Sequence, residues 1–236
     1  MPYYPVFLDI KDRKVIIVGG GAVAERKVEN LLTYGCRIYI TAHHLTLYLT
    51  TLVTQGTIHR IEYNEIPAHM EDAFMAIAAT DDPHVNREVS VMAKKQGVLI
   101  NAVDQPDDCS FIVSSVVKRG DLHIAISTGG KSPALAKRIR KELESLFGEE
   151  YGVLVDIMGL IRKKILSLNK SQAQNKELFE KLANADLSEI IRKKDRHGLK
   201  EALTSILGDE FPVDDVLENV NFSHKDTESQ RKDMTE

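Results

Sequence analysis

The chain has no tryptophan, two cysteines and no apolar run of membrane-spanning length. Each scarcity excludes something. Cys36 and Cys109 cannot build a disulfide framework, and neither lies in a C-x-x-C or other zinc-finger spacing. No H-E-x-x-H and no Cys/His cluster is present, so no resident metal is expected. The start "MPYYPVFLDI" has no basic segment ahead of an apolar stretch, so no secretory signal is expected and no membrane partner. The expected compartment is the cytoplasm. A formal net charge of −4 argues against a general nucleic-acid binder. None of the seven tyrosines has a lysine four residues later, which excludes the Y-x-x-x-K pair of short-chain reductases.

What remains is an ordinary soluble composition with an ordered pattern. "KVIIVG" (14–19) is a short apolar run ending in glycines, as expected of a strand buried on both faces. A helix follows over 22–34, stopped by Gly35. "RIYIT" (37–41), "TIHRIEY" (57–63), "FMAIAAT" (74–80) and "VLIN" (98–101) continue the strand series. Between the last two, Asp82 as N-cap, Pro83 at the first helical position and Gly97 as a stop frame a helix. This alternation predicts an α/β fold, a Rossmann-like parallel sheet domain over 1–112. Residues 113–147 then read as a β-hairpin around "KRGD" and a helix capped by Ser132 with Pro133 behind it. A small helical C-terminal domain is expected over 148–211. There Leu154, Ile157, Ile161, Ile165 and Leu168 share a face, and Asp186 and Glu189 form a capping box. From 212 to 236 the chain is polar and charged, and a disordered tail is expected.

Two glycine-rich loops carry the chemistry. Gly19-Gly20-Gly21-Ala22-Val23-Ala24 satisfies G-x-G-x-x-[GA] between a strand and a helix, where backbone N–H groups and the helix dipole hold a pyrophosphate. The second strand ends in Thr41, His43 and His44 in place of an acidic residue for the ribose. Dinucleotide binding is therefore expected, with NAD or NADP left open by these residues. At the other strand ends stand Thr80 and Asp81, then Asn101 and Asp104. Asp81 either approaches the cofactor or caps the next helix. Asp104, in "NAVDQPDDCSF", is a proton acceptor, a carboxylate that approaches a metal, or a turn former ahead of Pro106. The second loop, "AISTGGKS" (125–132), misses a triphosphate-binding loop only by Ala125 where glycine is required. Lys131, Lys137, Arg138, Arg140 and Lys141 follow with no acid among them, which suits a small polyanion. An NTPase using this loop and a non-catalytic dinucleotide sensor are the rival readings.

Three segments in fixed order, "PVFLDIKDRKVIIVGGGAVAERKVENLL", "AIAATDDPHVNREV" and "NAVDQPDDCSFIVSSVVKRGDLHIAISTGGKSPALAKRIRKELE", resemble the bifunctional precorrin-2 dehydrogenase/sirohydrochlorin ferrochelatase family of sirohaem synthesis. The resemblance is strong over roughly 1–150 and concerns only the helical character beyond. It implies a homodimer with an NAD-binding domain, a dimerisation region over 113–147 and a helical C-terminal domain. It also implies NAD-dependent oxidation of precorrin-2, a tetrapyrrole, to sirohydrochlorin, in some members followed by insertion of Fe2+ as a substrate. Asp104 carries over as the catalytic aspartate of the N-x-V-D motif. Gly19, Gly21, Ala22 and Val23 carry over as cofactor contacts, with Ala24, His43, His44, Thr80 and Asp81 placed around them. The family's usual serine is Thr128 here. No methyltransferase segment follows, so the stand-alone form is expected. Precorrin-2 carries eight peripheral carboxylates, which gives Thr128, Gly129, Gly130, Lys131 and Ser132 an anion to hold.

Overall fold

A computed structural model describes residues 3–168, 171–220 and 222. It divides into two compact units, one of residues 3–113 with 129–131, the other of 114–128 with the described residues from 132 onward.

In the first unit β1 (Lys14–Val18), β2 (Arg37–Thr41), β3 (His59–Arg60), β4 (Met75–Ala78) and β5 (Leu99–Ala102) form one parallel sheet in the order β3-β2-β1-β4-β5. Every residue of β1 is buried, which is why Val15, Ile16, Ile17 and Val18 run apolar without alternation. Val15 and Ile17 pack on one face with Val28 of α1 (Ala22–Leu32) and Leu49 of α2 (Leu47–Thr54). Ile16 and Val18 pack on the other with Ile66 of α3 (Ile66–Met70) and Val89 of α4 (Pro83–Lys95). Each fully buried side chain of this kind contributes about 1.5–3 kcal/mol. Val18 pairs with Thr41 on one side and Ala78 on the other, so three strands end together where the strand order reverses. That crevice is where parallel sheets of this type take ligands.

The strand and helix expectations for 14–101 are met in type and order, except that the third strand is shorter and the helices α2 and α3 were not foreseen. The third strand shrinks to two exposed residues, because 63–65 turn into a 3-10 helix that leads to α3. Helix α2 had no counterpart in the sequence reading; Thr46 caps it, its hydroxyl oxygen accepting from Leu49 N–H at 3.2 Å.

In the second unit β6 (Ser115–Arg119) and β7 (Leu122–Ile126) form an antiparallel hairpin, followed by α5 (Pro133–Leu146). Buried Arg119 donates to the carbonyls of Phe147 (2.9 Å) and Glu144 (3.3 Å) and pairs with Glu149, which ties the hairpin to the end of α5. Among the described residues five helices follow: α6 (Glu150–Ser167), α7 (Gln172–Asn184), α8 (Leu187–Arg192), α9 (Arg196–Leu207) and α10 (Val213–Glu218). The apolar face of α6 is Val153, Ile157, Ile161 and Ile165, while Leu168 at the helix end stays exposed.

Two sequence expectations are corrected here. The Asp186–Glu189 capping box does not form: the Asp186 carboxylate accepts from the Ser188 hydroxyl, and Glu189 pairs with Arg192 and Lys193. The expected disordered tail is ordered at its start. Val213, Val216, Leu217 and Val220 are buried at helical spacing in the core of the second unit, a stripe hidden by the acidic residues between them. The rest of that expectation, 221 and 223–236, lies outside the described residues.

Candidate active site

The three glycines of the first loop have three different surroundings. Gly19 adopts φ +128°, and a Cβ there would lie 2.3 Å from the Ala79 carbonyl oxygen. Gly20 is pressed against the following loop, its Cβ position 2.1 Å from the His44 carbonyl oxygen. Gly21 has an ordinary φ of −86°, and its Cβ would meet nothing within 4 Å. Neither conformation nor packing within the protein demands glycine there. The space beside the Gly21 Cα is open to an outside group of the size of a pyrophosphate.

Gly21 is the N-cap of α1, and the first helical hydrogen bond runs from Glu25 N–H to its carbonyl at 3.0 Å. The N–H groups of Ala22, Val23 and Ala24 therefore precede the ladder at the positive end of the helix. The Ala24 side chain is fully buried and brings α1 close to the sheet, so only its backbone faces the loop. His43 and His44 sit exposed in the bend after β2, with the His44 backbone against Gly20. Thr41 is buried, and its carbonyl accepts from Gly19 N–H at 2.9 Å.

At the end of β4, Thr80 faces inward. Asn86 of α4 accepts from the Thr80 N–H (3.1 Å) and hydroxyl (2.8 Å) and donates to its carbonyl (3.1 Å). Asp82 caps α4, accepting from His84 N–H at 2.8 Å. Asp82 fills the capping position and Asp81 is left exposed at the strand end. Asn86 went unnoticed in the sequence. Its signal was a polar residue on the face that also presents Val89, Ser90 and Ala93 to the sheet.

At the end of β5, Asp104 is exposed and holds φ +59°. It is the third residue of a turn closed by Gln105 N–H to the Ala102 carbonyl at 3.3 Å, a place that favours Gly or Asn. The buried Cys109 thiol braces this turn from below. Its sulfur accepts from Ala102 N–H at 3.2 Å, with the carbonyls of Ala102 and Gln105 at 3.2 and 3.3 Å. Burial pushes the Cys109 thiol up from its ordinary pKa, so it stays protonated and donates. Asn101 is turned away, donating to the Phe111 carbonyl at 3.2 Å.

In the second loop Gly129 and Gly130 adopt φ +61° and +80°. Thr128 Oγ1 accepts from Ser132 N–H at 3.0 Å, and Ser132 Oγ caps α5 by accepting from Leu135 N–H at 3.3 Å. Ala125 and Ile126 belong to hairpin strand β7, so the first two residues of the triphosphate-like motif are extended. That geometry opposes the NTPase reading. Along α5, Arg138 pairs with Glu142 and Arg140 with Glu144. Lys131, Lys137 and Lys141 make no ion pair among the described residues, within which no group of three or more metal-ligating side chains gathers.

Comparison with known proteins places these features in company. A family model described as NAD(P)-binding matches residues 6–115, and one described as sirohaem biosynthesis protein, central, matches 119–146. The chain is 36% identical to a siroheme synthase of Mannheimia succiniciproducens over 86% of its own length and 43% of the relative's. It is 35% identical to a siroheme synthase of Nitrosomonas europaea over 92% and 46%. The chain thus spans less than half the length of the curated relatives it matches. Among solved structures, SirC, a precorrin-2 dehydrogenase, superposes with TM-score 0.68 at 29% identity, covering 86% of this chain and 98% of that one.

Proposed function

This chain belongs to the precorrin-2 dehydrogenase and siroheme synthase family, and on that premise we propose that it oxidises precorrin-2 to sirohydrochlorin with NAD. The observation that carries the reading is the vacant space beside Gly21 at the mouth of α1, in a crevice shared with the ends of β4 and β5. The dinucleotide, when bound, supplies the acceptor for the hydride that leaves the macrocycle. The chain holds its pyrophosphate on the N–H groups of Ala22, Val23 and Ala24, with His43, His44 and Asp81 available to its other polar groups. Thr80 contributes its place at the strand end, since its hydroxyl serves Asn86 and the α4 cap. Asp104 takes the proton that the macrocycle loses with the hydride.

The Thr128–Ser132 turn takes a peripheral carboxylate, with Lys131 supplying charge. A homodimer belongs to the same reading. It is supported by Leu135 and Leu146, which stand exposed on α5. A cytoplasmic location fits two buried free cysteines and, among the described residues, no helix able to cross a membrane.

The test is to mix purified protein anaerobically with precorrin-2 and NAD or NADP and follow the spectrum. Growth of sirohydrochlorin absorption supports the reading; no change with either dinucleotide sinks it. Adding ferrous iron to the product then asks whether the protein also speeds insertion.

A further inference from the structure

We propose that Gln105 is a positioning residue for Asp104, its side-chain amide tethering the turn that carries the carboxylate to the first turn of α4. The inference rests on the reading of Asp104 as proton acceptor. Gln105 Nε2 donates to the Pro83 carbonyl at 3.0 Å. Among the described residues this is the one side-chain hydrogen bond made by residues 103–106.

The turn needs such a tether. Asp104 occupies the left-handed region, which a side chain with a Cβ resists. The closing Gln105 N–H to Ala102 bond is long at 3.3 Å, and Cys109 offers only a weak sulfur donor and acceptor beneath it. Val103 N–H holds the turn's backbone to the Ala78 carbonyl of β4 at 2.9 Å, and Ser90 and Lys94 of α4 reach the carbonyls of Asp108 and Asp107 further on, but none of these engages a side chain next to Asp104. The Gln105 amide does engage there, and it lands where Asp82 caps α4 and Asn86 clasps Thr80. The ends of β4 and β5 are thereby fixed to one helix start.

The other half of the amide sharpens the point. Gln105 Oε1 is buried with no hydrogen-bond partner. An unpaired buried acceptor is unfavourable, and an apolar side chain of the same length would avoid it. What the amide alone supplies is the Nε2 reach to Pro83, and the residue carried along on that reach is Asp104.

The experiment compares Gln105→Met, Gln105→Asn, Gln105→Glu and Asp104→Ala in the full chain, measuring kcat, both KM values, the pH profile and Tm. Gln105→Met keeps the volume and loses the tether; kcat should fall about tenfold, with both KM values within about twofold of the native ones. Gln105→Asn keeps the amide but falls short of Pro83, and should lose a similar factor; it decides the matter if the methionine variant does not fold. Gln105→Glu places a second carboxylate beside Asp104 and should move the acid limb of the kcat profile to higher pH. A lower Tm with unchanged kcat and pH profile in these variants would make Gln105 merely structural and overturn the proposal. Full activity in Asp104→Ala would instead remove the proton-acceptor reading on which it rests. An inactive Asp104→Ala beside a fully active Gln105→Met would overturn the positioning role alone.

Discussion

Asn86 clasps Thr80 at three atoms, its carbonyl oxygen taking the threonine N–H and hydroxyl and its amide nitrogen reaching the threonine carbonyl. The end of β4 is thereby locked to α4 beside the glycine loop. Asn86 is 3% exposed, and truncation takes the side-chain partner from the Thr80 N–H and carbonyl, while the Thr80 hydroxyl keeps its bonds to the Asp82 backbone. Asn86→Ala should cost about 2–3 kcal/mol of stability, read as a lower urea midpoint, and should weaken dinucleotide binding. Unchanged stability would mean that water replaces the clasp.

The glycine loop separates folding from binding. Gly21→Ala adds a methyl in open space at an ordinary φ, so Tm should stay within a few degrees while dinucleotide affinity falls at least about tenfold. Gly19→Ala meets the Ala79 carbonyl at φ +128° and should give little folded protein. Equal NAD affinity in native protein and Gly21→Ala, measured by calorimetry, would take the pyrophosphate away from this loop.

Asp104 sits where stability alone favours glycine. Replacing it by Gly relieves a left-handed residue that carries a Cβ, worth about 1 kcal/mol. Asp104→Gly should therefore be as stable as the native protein or more so in thermal melts, and inactive as a dehydrogenase. A destabilised variant with normal turnover would reverse both parts.

Acid should loosen the base of the sheet. Lys14 bonds the Asp72 carboxylate, and this pairing, the largest influence on Asp72, holds its pKa below the ordinary carboxylate value. A carboxyl with a depressed folded pKa stabilises fully above its unfolded pKa and loses that contribution as pH falls through the folded value. Asp72 is largely exposed, so the effect is small. Melting curves taken downward from pH 6 should show the native protein losing Tm below about pH 4 more steeply than Asp72→Asn. Parallel curves would show that the pair contributes nothing.

Much of this architecture was legible because parallel strands buried on both faces write themselves as short apolar runs, and glycines mark the turns between them. β1, β4 and the caps at Asp82 and Ser132 were readable for that reason. β3 was placed but not its two-residue length, and the short helices α2 and α3 were missed, since neither carries a strong period. α10 was hidden by acidic residues between its valines. At the site, the sequence placed the glycine loop and Asp104 at strand ends, but could not show that Thr80 turns inward. Nor could it show that Gln105 reaches Pro83, 22 positions earlier in the chain. Such contacts join residues distant in sequence, and no local pattern records them.

The most direct measurement is single-turnover hydride transfer under anaerobic conditions, with enzyme in excess over precorrin-2 and dinucleotide reduction followed alongside macrocycle absorption. Expected is one reduced dinucleotide for each sirohydrochlorin formed, both appearing at the same rate and both abolished in Asp104→Gly. Sirohydrochlorin formed no faster than without enzyme, or formed without dinucleotide reduction, would contradict the assignment of dehydrogenation to this site.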